Sequence, residues 1–510
     1  MILKKFTIIL YLLIIQITFI NAQENVSPLN VKISIGTEIR DKVKSEGRLF
    51  LFITTQPNVE PRTLTWPTDG NYIFAQNFEA IDVKKEIVLS NNEKLQKTPD
   101  WSLDQVPQDT YYVQALWDQD QEESRIDAPG NIYSPVKKID VKNATDVALS
   151  LSKIIESRSI IDHKYVKEVT LKSNLLSTWW GKEMTLKASV LLPRGYYDEP
   201  NKKYPVRYNV AGYGGRYNRI NYLMGNKGFS EWWFSEDAPQ IINVFLDGEG
   251  PFGDSYQLDS DNSGPYGNAL INELIPYIET TYRGMGSAKY RFVDGCSTGG
   301  WVSLALQLYY PDDFNGVWSY SPDAVEFENY QLINIYKDKN AFINEYNIQR
   351  PVARETSGEP MMLLKNFIQY ENVLGWSDTY VTSGGQFSAH TALYSPKGED
   401  GLPSPLIDPE TGEINHDIAE QWKKYDLKLY AKEHWEELGP KIQGKIYIWM
   451  GDMDHFYLNM ATRSFDEFLK STKNPSSDAE IVFTPTKGHC ANYSNKVVLE
   501  QMAEKLETID

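Results

Sequence analysis

The chain has 510 residues, 41% of them hydrophobic, 24% charged and 13% aromatic. That composition excludes disorder, collagen and coiled coil, and the length predicts two domains. With 51 basic against 69 acidic side chains, a formal charge of -18 and no Lys/Arg cluster, nucleic-acid binding is not expected.

Residues 1–22 join Lys4 and Lys5 to the apolar stretch Ile8 to Ile15 and end in Asn21-Ala22 before a polar run. The pattern predicts a signal peptide cleaved near Ala22, and hence a secreted or periplasmic protein. Gln16, Thr18 and Asn21 break the stretch below the run of about 20 apolar residues that a membrane anchor needs. No cysteine near that site offers a lipid attachment point, and no later stretch is long and apolar enough to span a bilayer. From Asn30 to about Leu151, short alternating segments such as Val31–Ile35, Gly47–Ile53 and Thr110–Leu116 are separated by polar turns. They predict an antiparallel, Ig-like β-sandwich over residues 23–160. The period fades between Val147 and Tyr165, where the domain boundary is expected.

Residues 166–510 carry a different pattern. Strands are predicted at Glu168–Lys172 and Thr185–Leu192, then at the apolar runs Pro205–Val210 and Ile241–Leu246, which suit strands buried on both faces. A helix over Asn268–Tyr282 and a strand at Tyr290–Val293 follow. The alternation predicts a mostly parallel sheet wrapped by helices. It lapses over about 322–441, expected as an insertion above the sheet, and resumes with Lys445–Trp449, a helix around Met460–Leu469 and Glu480–Phe483.

The segment Gly295-Cys296-Ser297-Thr298-Gly299-Gly300 is a G-x-S-x-G placed after a predicted strand and before the apolar-periodic Val302, Leu304, Ala305 and Leu308. That is the context of a nucleophile elbow, where small residues allow a sharp reversal and a strained turn exposes the serine hydroxyl. A serine hydroxyl is a weak nucleophile until a base takes its proton, so a histidine held by a carboxylate is required, in the order serine, acid, histidine. Of six histidines, His489 follows the last predicted strand in a loop that Gly488 frees. His455 is the first rival. His163, His390, His416 and His434 fall in the linker or the insertion and are expected to be structural or exposed. For the acid, Asp452 and Asp454 compete at the C-terminal end of the strand Lys445–Trp449, where ligand-facing residues of a parallel sheet belong. Ala211-Gly212-Tyr213-Gly214-Gly215 follows the strand Pro205–Val210, so the Tyr213 and Thr298 amides are candidate oxyanion donors.

Taken together, Val190–Tyr196, Tyr204-Pro205-Val206, Gly212–Gly215, Glu273–Glu279 and Gly295–Gly300 match in order the pattern of the esterase D, feruloyl esterase and enterochelin esterase group, and the catalytic part resembles that group of α/β-hydrolases. The match is close over about 185–310 and looser over 441–510. The resemblance implies an α/β-hydrolase fold and selects Asp454, three positions after Gly451, over Asp452. Two features depart from the group: Ala211 stands where it usually has histidine, and the separation of Ser297 from Asp454 implies an unusually large lid. The only two cysteines, Cys296 and Cys490, flank Ser297 and His489. In an oxidising compartment they are expected to form a disulfide, resembling the Cys-Ser, Asp, His-Cys arrangement of tannase-type and feruloyl esterases.

The resulting expectation is a secreted serine hydrolase acting on an ester substrate, an acyl or phenolic ester on a glycan or related compound. Tyr213 and Trp301 are expected to touch that substrate, with Trp449 a weaker candidate. Dinucleotide, P-loop and zinc patterns are missing, and the acidic loops Asp259–Asn262 and Asp408–Gly412 lack Ca²⁺-loop spacing, so neither cofactor nor metal is expected. The alternatives are an acyltransferase on the same scaffold and a non-catalytic protein binding a glycan or a partner. A prolyl oligopeptidase-type peptidase shares the triad order, but the N-terminal part is too short for that family's propeller.

Overall fold

The computed structural model describes residues 26–120 and 122–509. The segment expected to be a signal peptide lies outside them. In the N-terminal part, the strand Gly47–Thr54 runs antiparallel between Asn71–Phe78 and Thr110–Asp118 at the centre of a seven-stranded sheet. Facing it, Leu29–Ile35 lies between Ile87–Leu89 and Thr145–Leu151. Val31 and Ile33 of the smaller sheet share a core with Leu49, Leu51, Ile53 and Trp117 of the larger one, so the two sheets form a sandwich.

Two details correct the sequence reading. Leu29–Ile35 and Thr145–Leu151 pair in parallel, because strands from opposite ends of this part meet by a crossover and not by a hairpin. The strand Gly47–Thr54 does not alternate: Phe50 and Phe52, on its outer face, are buried against Tyr370, Val373 and Leu374 of the insertion. Both of its faces are covered, which accounts for its unbroken apolar run.

The sheet of residues 166–510 has eight strands: β1 (Val166–Ser173), β2 (Met184–Leu191), β3 (Val206–Val210), β4 (Ile242–Leu246), β5 (Arg291–Cys296), β6 (Val317–Tyr320), β7 (Ile446–Gly451) and β8 (Glu480–Thr484). Their order is β1-β2-β4-β3-β5-β6-β7-β8, and only β2 runs antiparallel to its neighbours. This is the α/β-hydrolase topology. β3 and β4 are buried along their whole length. The predicted helix after β4 comprises Tyr266–Ala269 and Ile275–Thr281, joined by a π-helical turn over Leu270–Leu274.

Helix α1 (Thr298–Tyr309) leaves the C-terminal end of β5. The insertion between β6 and β7 carries several short helices and a two-stranded hairpin (Pro351–Arg354, Pro360–Leu363). Its α2 (Leu364–Leu374) packs on the outer face of the N-terminal sheet, and its α3 (Gln386–Tyr394) lies over the ends of the hydrolase strands. Among the described residues no helix is long and apolar enough to cross a membrane.

Candidate active site

The C-terminal ends of β5, β6 and β7 carry Ser297, Asp323 and Asp454 to one end of the sheet. Ser297 has φ 63° and ψ -130°, a conformation that L-residues adopt only when their surroundings enforce it. The enforcement comes from close backbone approach. A Cβ on Gly295 would lie 2.5 Å from the Gly299 carbonyl, and one on Gly299 would lie 2.3 Å from the Val210 carbonyl of β3. The Ser297 amide donates to the Tyr320 carbonyl at 3.0 Å, which ties the turn to β6.

His489 faces the same cavity as Ser297. Its Nδ1 lies 2.6 Å from Asp454 Oδ2, and because a carboxylate only accepts, Nδ1 carries the proton. Asp454 is fully buried, and its Oδ1 accepts the Phe456 and Leu458 amides at 2.9 and 3.3 Å. Burial alone would lower the His489 pKa, but the Asp454 charge and hydrogen bond, with a further contribution from Asp323, hold it above the ordinary imidazole value. The rival Asp452 pairs with Arg463 at the surface. The other rival, His455, packs its ring against the Gly488 backbone.

Cys296 and Cys490 are joined in a disulfide with Cα atoms 6.0 Å apart, so the covalent link spans the immediate neighbours of Ser297 and His489. The Cys490 amide also donates to Ser321 Oγ at 3.1 Å. The loop after β3 abuts the elbow, where a Cβ on Gly212 would sit 3.6 Å from Ser297 Cβ. Neither the Tyr213 nor the Thr298 amide has a hydrogen-bond acceptor among the described residues.

The cavity at Ser297 has a volume of about 930 Å³. Tyr213 lines it, with its hydroxyl donated to the Gly384 carbonyl at 2.7 Å and the Arg125 guanidinium 5.4 Å from its ring. Trp301 does not line the cavity. It is fully buried beneath it, edge-on to Tyr256 and Tyr394, because the first turn of α1 points it into the core. Trp449 is likewise a core residue, with Nε1 donating to Thr484 Oγ1 at 2.9 Å.

The chain matches the Esterase family, described as "Putative esterase", over residues 181–496. It belongs to that family. Solved structures similar to this esterase chain include a ferulic acid esterase, 16% identical, covering 67% of this chain and 97% of its own with a TM-score of 0.41. Another is an S-formylglutathione hydrolase from Agrobacterium tumefaciens, 13% identical, covering 68% and 95% with a TM-score of 0.39. A CE1 ferulic acid esterase from Anaeromyces mucronatus is 16% identical, covering 69% and 94% with a TM-score of 0.32. No curated protein matches the chain.

The insertion contributes residues to this esterase's cavity that sequence reasoning missed. His390, expected to be structural or exposed, is buried on the cavity wall. Its Nε2 lies 3.5 Å from Asp323 Oδ2 and its Nδ1 hydrogen-bonds the Tyr330 hydroxyl. Gln386, one turn earlier on α3, donates to Asp323 Oδ2 at 3.1 Å and to the Tyr256 hydroxyl at 2.9 Å. The same Asp323 oxygen accepts Thr298 Oγ1 at 2.9 Å. Asp323 therefore anchors the insertion to the first residue of α1. Its position just beyond the end of β6 was the available signal.

Proposed function

We propose that the protein is a secreted serine esterase in which Ser297 attacks an ester carbonyl, His489 takes and returns the proton, and Asp454 orients His489 and stabilises its cation. The Tyr213 and Thr298 amides hold the oxyanion. The leaving alcohol departs with the proton from His489, and water then attacks the acyl-enzyme by the reverse path. One observation carries the reading: a strained serine opens into a cavity shared with a histidine whose Nδ1 sits 2.6 Å from a buried carboxylate. The segment 1–22 and the Cys296–Cys490 disulfide support an oxidising compartment. On this reading a β-sandwich over 23–160 precedes a hydrolase domain over 166–510 with its insertion over about 322–441.

The substrate class is an acyl or phenolic ester, glycan-linked in the natural setting; the family and the aromatic cavity wall support it. Hydrolysis of p-nitrophenyl acetate and methyl ferulate by the mature protein, beside Ser297→Ala, is the test. Activity in the wild type and a loss of about 10³-fold or more in the variant are expected. A folded wild type inactive on both esters, or a variant that keeps its activity, would overturn the reading.

A further inference from the structure

The cavity is not built from the hydrolase sheet and insertion alone. Trp66, in the long loop 55–70 between two strands of the N-terminal sandwich, also lines it. The indole lies 5.4 Å from Phe367 of α2 and 6.3 Å from Phe456 of the loop after β7, edge-on to both. Phe456 in turn lies 5.0 Å from the His489 ring, also edge-on. Four rings from four separate stretches of chain thus form one wall ending at the His489 imidazole. Trp66 remains 39% exposed. A planar apolar ligand laid on this wall would take aromatic surface out of water and gain ring–ring contacts.

The loop is held, so the indole is presented in place. The Arg62 amide donates to Gln114 Oε1 at 3.1 Å, and its guanidinium lies 4.2 Å over the Tyr133 ring. The Thr68 amide returns to the Trp66 carbonyl at 2.8 Å, and the Thr55 amide closes the loop on the Gly70 carbonyl at 3.0 Å. Little ordering is left to be done when a ligand arrives.

We infer that Trp66 is a specificity-determining residue, and that the N-terminal sandwich thereby supplies part of a slot for an aromatic ring of the ester. The inference rests on the esterase reading of the cavity. Its test compares kcat/KM of the full-length wild type, Trp66→Ala and Trp66→Phe on three esters: methyl ferulate with the ring on the acyl side, phenyl acetate with it on the alcohol side, and methyl butyrate with none. Trp66→Ala is expected to lower kcat/KM for at least one ring-bearing ester about tenfold more than for methyl butyrate, and Trp66→Phe to recover most of that difference. An equal loss on all three esters, as a merely structural role would give, overturns the inference, as does a ring-bearing selectivity that does not change. Calorimetric binding of ferulate and of phenol to Ser297→Ala, with and without Trp66→Ala, reads the slot without turnover. Weaker binding of either ligand in the double variant supports the slot even if the esterase reading fails, and unchanged binding of both overturns it. Thermal melting establishes that each variant is folded.

Discussion

At the scale of single residues, the proposed proton transfers rest on the pair His489 and Asp454. The Asp454 charge and hydrogen bond raise the imidazole pKa against the burial that would lower it. In Asp454→Asn the burial remains and the charge is gone, so the acid limb of kcat/KM moves to lower pH. The same change releases the tautomer, and kcat is expected to fall about 10³- to 10⁴-fold. A pH-rate profile of wild type and variant checks both effects; a limb that stays in place would mean that His489 is not the titrating base.

At the scale of elements, the turn from β5 to α1 depends on bare backbone. In Gly299→Ala the added methyl meets the Val210 carbonyl at 2.3 Å, and moving β3 or α1 to relieve it is expected to cost about 3 kcal/mol or more. Urea unfolding measures that loss. The disulfide fastens the same turn to the His489 loop across 194 positions of sequence. In the chain-entropy model such a loop is worth up to about 5 kcal/mol. The double variant Cys296→Ser, Cys490→Ser is expected to unfold at lower urea and to lose activity as His489 drifts from Ser297.

This scale also separates what the sequence makes legible from what it hides. Strands β4 and β7 are legible because burial on both faces leaves them mostly apolar, and Ser297, Asp454 and His489 because each follows a predicted strand. Trp301 misleads: adjacency to Ser297 in sequence says nothing about direction, and the helix turns it inward. Trp66 and His390 are hidden for a different reason. Their places in the cavity come from contacts between distant stretches of chain, which leave no period and no spacing to read.

At the scale of the whole molecule, three carboxylates have their pKa raised by burial although each accepts hydrogen bonds. Asp118 in the N-terminal sheet, Asp254 beyond β4 and Glu371 on α2 are each pushed up to about 7, chiefly by burial. In the unfolded chain these groups titrate near pH 4. Between those values the folded protein holds protons that the unfolded chain has released. Their contribution to stability is therefore present at low pH and lost as pH rises toward about 7. His489, also raised, contributes in the same sense. The melting temperature is expected to be higher near pH 6 than near pH 8; a melting temperature that rises with pH would show that these groups are ionised in the fold.

The Arg48 guanidinium, almost fully buried, donates to the Val373 carbonyl at 2.9 Å and pairs with Asp378 at 2.8 Å, beside the apolar contact of Phe50 and Phe52 with α2. The insertion is thereby tied to the sandwich by an ion pair, a hydrogen bond and an apolar contact. The tie makes the two halves poor modules for gene engineering. A fragment beginning near residue 161 would leave a greasy helix face and two polar groups without their arginine, and is expected to precipitate on expression unless the missing half is supplied beside it.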